Sequence, residues 1–239
     1  MTDEATELPM PQLTERSIRL TSTGDRSADK SAAPTEALDG RVRLGGPEFV
    51  PVRASSSFAA SSPDLLSFIE QEAVQRAYFL VHMALTFEEV PGEPPLESAA
   101  LDITLSSAEA TGRPIAWSMA PLRITDPSEV TSSFTIRPQL KLGGTEVSGL
   151  EAAQSTVRHQ GDVFLQAFRE LRGDPGWRLR RTPAMPLYGS YRFAMVVRAE
   201  KGHDTTLELG VTASVRKRSF PRTYSYQLPS PLRTSEVLR

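Results

Sequence analysis

Cysteine is absent from the 239 residues. That excludes disulfides, thiol nucleophiles and cysteine-ligated metal sites, and leaves the fold to be held by its core alone. Histidine is scarce. His82, His159 and His203 stand far apart in sequence and in no short metal-ligand motif, so no metal centre is expected. Long hydrophobic runs are missing too; none approaches the roughly 20 residues that cross a bilayer as a helix. The acidic opening, Met1 to Glu7, lacks the apolar stretch of a secretory signal, and a cytoplasmic setting is the simplest expectation. There is no Gly-x-Ser-x-Gly elbow and no dinucleotide fingerprint. The glycine pair Gly143-Gly144 is followed by Thr145-Glu146, not by the Lys-Ser/Thr of a P-loop, so no cofactor is expected. No period of 20–50 residues repeats, which excludes solenoids and propellers.

What is present is alternation. Tyr191, Phe193, Met195, Val197 and Ala199 alternate with Arg192, Ala194, Val196 and Arg198. After the polar turn Glu200 to Asp204, Leu207, Leu209, Val211, Ala213 and Val215 do the same. Two period-two segments joined by a short turn with Gly202 predict a β-hairpin with one buried face. Arg76 to Glu89 is apolar on both faces if extended, as in a central strand. Ala99 to Leu105, Ile115 to Met119 and Trp177 to Arg180 are further strands, as are Phe134 to Leu142 (edge or bulged at Pro138) and Val157 to Ala167. Thr145 to Thr156 fits helix or strand. Ser62-Pro63-Asp64 opens a helix with an apolar stripe of Leu65, Leu66, Phe68, Ile69 and Val74. The expected fold is all-β: an antiparallel β-sandwich over residues 63–218, with one short amphipathic helix.

Residues 1–62 are polar, with Phe49 and Phe58 their only aromatics. They read as a tail or linker without a core of its own, ordered on a partner through anchors such as Leu13, Ile18 and Leu20. Val42, Leu44 and Phe49 to Val52 add at most an edge strand, because Pro47 and Pro51 argue against a central one. Residues 219–239 form a second, proline-rich tail, with Tyr224, Tyr226, Leu228 and Leu232 as anchors.

Charge is unevenly spread. Residues 158–239 carry a net +8, against −4 for residues 1–40 and −6 for residues 41–157. The asymmetry fits attraction between parts of one fold or between subunits, or an anionic partner for the C-terminal third. Arginines form the one distinctive polar set. Arg178 and Arg180 share a strand face beside Arg181, Arg192 and Arg198 share the polar face of the hairpin's first strand, and Arg216, Lys217 and Arg218 end its second. If the strands pair as a hairpin, these charges gather on one sheet face suited to an acidic protein surface, nucleic acid or anionic lipid. Glu88-Glu89 and Asp102 read as a solvated strand edge rather than a catalytic pair.

Trp177-Arg178-Leu179-Arg180-Arg181-Thr182-Pro183, then Pro186-Leu187-Tyr188-Gly189-Ser190 and the apolar strand after it, resemble a motif of uncharacterised β-rich bacterial proteins, mainly actinobacterial. The resemblance spans Arg76 to Arg218; it implies a sandwich and carries over no catalytic residue. The expected function is a non-catalytic interaction or structural protein within a larger assembly, with a protein partner or self-assembly. The alternatives are a binder of nucleic acid or anionic lipid through the arginine face, and an enzyme gathering His82 or His159 with carboxylates.

Overall fold

The computed structural model describes residues 11–22, 38–52, 63–107, 112–126, 162–216, 223–228 and 230–234. In chain order these form β1 (Glu15–Ser22), β2 (Leu38–Val52), helix α1 (Pro63–Glu72), β3 (Arg76–Phe87), β4 (Leu96–Ser106), β5 (Ile115–Ala120) and β6 (Arg123–Thr125). They continue as β7 (Val163–Phe168), β8 (Gly176–Arg180), β9 (Gly189–Glu200), β10 (Thr206–Arg216), β11 (Thr223–Gln227) and β12 (Leu232–Thr234). The strand expected over Phe134 to Leu142, the segment Thr145 to Thr156 and the start of the next strand lie outside the described residues. Among the described residues no helix is long and apolar enough to cross a membrane.

One antiparallel path runs β5-β9-β3-β2-β1-β11-β10-β4-β8-β7-β6, with β12 paired to β10 beside it, and the whole curls as a half-barrel. Among the described residues the all-β expectation and the single short helix hold. The hydrogen bonds do not divide into two separate sheets, because β1 and β11 join the halves through Thr21↔Gln227 and Ser22↔Tyr226. The inner faces of both halves share one core. The Trp177 and Phe193 ring centres lie 5.0 Å apart across it, and those of Phe164 and Tyr191 5.2 Å.

The expected hairpin is not formed. Its two strands exist and bury the predicted residues, Phe193 to Ala199 and Leu207 to Val215 at alternate positions. Yet β9 pairs with β3 along its whole length, from Arg76↔Glu200 to Phe87↔Gly189, while β10 pairs with β4, β11 and β12. The turn after Glu200 carries the chain across the core to the other half. It is held where it leaves β9, since Lys201 donates its backbone N–H to Gln75 O and its ammonium to Ala73 O at 2.7 Å. Period-two alternation reports which side of a strand is buried, not which strand lies beside it. An arch between layers and a hairpin within one therefore look alike in sequence.

The reading of residues 1–62 as tail is corrected over β1 and β2; the rest of that stretch, apart from residues 11–14, lies outside the described residues. Leu20, Val42 and Leu44 are fully buried, and β1 and β2 lie in the middle of the path. The prolines are accommodated locally. Pairing of β2 with β3 shifts between Gly45 and Glu48, so Pro47 sits in a bulge. There Gly46 takes a left-handed φ of 77°, and a Cβ on it would meet His82 O at 2.6 Å. Beyond the bulge β2 has, among the described residues, only β3 as neighbour, so Pro51 is tolerated there. In the C-terminal segment Thr223–Gln227 and Leu232–Thr234 are strands; Tyr226 is buried, and Leu228 and Leu232 pack against the core.

On the outer face of the first half, Tyr78, Leu80, Ala194 and Val196 make a second apolar cluster with Phe68 of α1 packed on it, and Ile69 is buried. Val74, predicted to join that stripe, lies past the helix end and is exposed. The two ends of the sheet path are consecutive in the chain, β5 and β6, linked by Pro121 and Leu122. Ala116 of β5 exchanges hydrogen bonds with Leu171 and Arg172 of the β7–β8 connection, and the Trp177 indole donates to Pro121 O at 3.0 Å.

Strand β8 is packed so tightly on β4 that a Cβ at Gly176 would lie 2.5 Å from Leu101 O and from the Phe168 ring. Gly176→Ala is therefore expected to destabilise the protein by about 1–3 kcal/mol in urea denaturation. An unchanged midpoint would show that β8 does not pack as described.

Candidate functional site

The outer face of β10, β4, β8 and β7 is a shallow polar surface whose height is set by residue size. The register aligns Thr212, Ala100, Arg178 and Gln166 in one row across four strands, and Ser214, Ser98 and Arg180 in the next. In these two rows the side chains on β4 and β10 are short, and Ser98 and Ser214 bond to each other through their hydroxyls at 2.6 Å. The arginines of β8 are long and exposed, because Trp177 and Leu179 take the inward positions of that strand. A low floor beside tall cations makes a groove of about 790 Å³ over β8.

Arg178, Arg180 and Arg181 line this groove, and among the described residues none of them pairs with a carboxylate. Arg178 is oriented by the Phe168 ring, with its guanidinium carbon 4.9 Å from the ring centre; Arg169 lies 5.4 Å from the same ring. Arg181 is placed by its backbone N–H, donated to Glu97 O, and by the loop that follows. In that loop buried Thr182 donates its hydroxyl to Asp126 Oδ2 at 2.9 Å and accepts the Met185 N–H at 3.0 Å. Ala184 N donates to the same carboxylate oxygen at 3.3 Å. Two carboxylates bracket the arginines: Asp102 faces Gly176 at one end of β8, and Asp162 lines the groove near the other, where β7 begins beside Thr182.

The remaining predicted cations lie elsewhere. Arg198 is on the outer face of β9, in the other half of the sheet, where its guanidinium binds Glu72 at 3.1 Å and stacks 5.0 Å over Trp117. The Tyr78 hydroxyl donates to Glu72 at 2.9 Å, and burial together with that bond pushes its pKa well above the ordinary 10.0. Arg198 thus fastens α1 to the sheet. Arg192 is exposed on the same half, with Nη1 3.5 Å from Pro11 O. Arg216 ends β10 opposite Thr223, with its side chain outside the described residues, as are Lys217 and Arg218. Among the described residues the arginines of β8 and those of β9 do not share a face, because β9 and β10 are not neighbours.

Of the histidines, His82 is buried on the outer side of β3, between Glu48 of β2 and Ala194 of β9. Its Nε2 has no hydrogen-bond partner among the described residues. His203 sits in the β9–β10 turn, six positions along the β3–β9 ladder and beyond, and His159 lies outside the described residues. Among the described residues no group of three potential metal ligands forms. Asp126, Asp162, Thr182 and Gln166 had no local signal in the sequence; Thr182 and Asp126 are brought together across 56 positions.

Burial holds the His82 imidazole below its ordinary pKa of 6.5; Glu48 opposes this shift and Arg192 adds to it. The folded state therefore prefers the neutral ring. The contribution of His82 to stability is complete above about pH 6.5, the value of the unfolded chain, and falls as pH drops toward the lower folded value, by at most about 1.4 kcal/mol per unit. His82→Gln should flatten that slope in urea melts between pH 7 and 5, and an unaltered slope would contradict this assignment. Arg198→Ala is expected to cost about 1–2 kcal/mol through the lost ion pair and ring contact. That loss should appear as early amide exchange in α1, and an unchanged exchange pattern would contradict the fastening role.

No protein-family model matches the chain, and no curated protein matches it.

Proposed function

We propose that this protein is a non-catalytic interaction protein of a larger assembly, a two-layered β-structure in the cytoplasm that docks a protein partner in the groove over β8. The observation that carries the reading is the set of three guanidiniums lining one concave face, without carboxylate partners among the described residues. A guanidinium presents a rigid fork of donors matched to carboxylates, so an acidic protein surface satisfies it. The surrounding hydroxyls of Ser98, Thr212 and Thr182 and the amide of Gln166 add short polar contacts. The bound loop from Thr182 to Met185 keeps one wall of the groove fixed before a partner arrives.

A photo-cross-linking residue placed at Arg178 in the native cell tests this. It is expected to capture one discrete protein, identified by mass spectrometry, and the capture should vanish with Arg180→Glu. The same residue at exposed Val74, on the other half, should capture nothing discrete. No discrete product at position 178, or one indifferent to Arg180→Glu, would overturn the reading.

A further inference from the structure

The charges in the groove follow an order along β8, and the order restricts what fits. Asp102 lies opposite Gly176 at the start of the strand. Arg178 and Arg180 follow on the outward side, then Arg181, and Asp162 flanks the end near Thr182. Side chains two positions apart on a strand share a face and stand about 6.7 Å apart. From Gly176 to Thr182 the pattern spans roughly 20 Å, negative at both ends and positive between.

From this we infer that the groove recognises a short acidic peptide segment in extended conformation, with carboxylates at positions i and i+2 and uncharged or basic residues on either side. The inference rests on the docking reading above and names the partner's chemistry. An extended ligand has the same two-residue repeat as β8, so carboxylates at i and i+2 match Arg178 and Arg180 in spacing. Arg181 is in place for the end of the acidic stretch. Asp102 and Asp162 repel further negative charge at the flanks and favour lysine, arginine or backbone N–H groups there.

The same order disfavours a nucleic acid. A phosphate backbone is negative at every step and meets Asp102 at one end and Asp162 at the other. Stacking is disfavoured too, because the Phe168 ring beside the groove already carries the Arg178 and Arg169 guanidiniums.

Fluorescence anisotropy on the full chain at low salt tests the pattern with three probes: labelled Lys-Gly-Glu-Gly-Glu-Gly-Lys, hexaglutamate and a single-stranded oligothymidylate. The alternating peptide should bind best, and more weakly as salt shortens the screening length from about 10 Å at 0.1 M toward about 3 Å at 1 M. Arg178→Glu with Arg180→Glu should weaken it at least about tenfold. Asp102→Asn with Asp162→Asn should raise affinity for hexaglutamate and oligothymidylate and erase the preference. All these positions are exposed, and a circular dichroism melt checks that each variant is folded. Equal or tighter binding of oligothymidylate or hexaglutamate by the unaltered protein overturns the inference, as does binding of no probe. A cross-link at position 178 that persists in either case leaves the docking reading standing and removes only the charge pattern.

Discussion

Trp177 is sealed in the core with its ring centre 5.0 Å from that of Phe193, and its indole N–H is held by Pro121 O. Those three residues belong to β8, to β9 and to the link between β5 and β6. The contact joins the two halves of the curled sheet near the place where the ends of the strand path meet. A large aromatic with its polar atom satisfied is well suited to such a position, since it gives burial without an orphaned donor. By taking the inward position on β8, Trp177 also sends Arg178 outward.

The division of labour among the arginines follows from that geometry. Those on β8 stand over a floor of small residues and face solvent. Arg198 on β9 points away from the same core, but its side of the sheet is covered by α1. There Glu72 pairs with its guanidinium and Trp117 stacks beneath it, while Tyr78 holds the Glu72 carboxylate. Chemically identical side chains on strands of similar pattern thus have different roles, set by whether a helix packs above them. Buried His82, on the helix-covered half, is neutral for the same reason that Arg198 is paired: charge there needs a partner or must be given up.

Much of the burial pattern was legible in the sequence, because alternation in β4, β8 and β10 states which side faces the core, and the apolar residues on both sides of β3 mark a strand covered on both faces. Neighbour relations were not. Nothing local distinguishes the β9–β10 arch from a hairpin, and the expected single arginine face depended on that pairing. Strand β1 was missed, and β2 was expected only as an edge strand, for a different reason. Ile18 and Leu20, then Val42 and Leu44, are short alternations inside a polar segment, and Pro47 hid the continuity by occupying a bulge. The Asp126–Thr182 bond and the placement of Asp162 required the fold, since they join distant parts of the chain. That Arg178 and Arg180 share a strand face was legible because their spacing on one strand is itself sequence information; Arg181 lies just past the strand end.

The central claim is that β9 and β10 belong to opposite halves of the sheet, which separates the groove arginines from those held beneath α1. Backbone proton contacts measured by nuclear magnetic resonance on the isotopically labelled full chain test it most directly. The account predicts cross-strand contacts between β9 and β3, with Ala194 opposite His82 and Val196 opposite Leu80, and between β10 and β4, with Leu209 opposite Ile103. A ladder of such contacts between β9 and β10 themselves would contradict it.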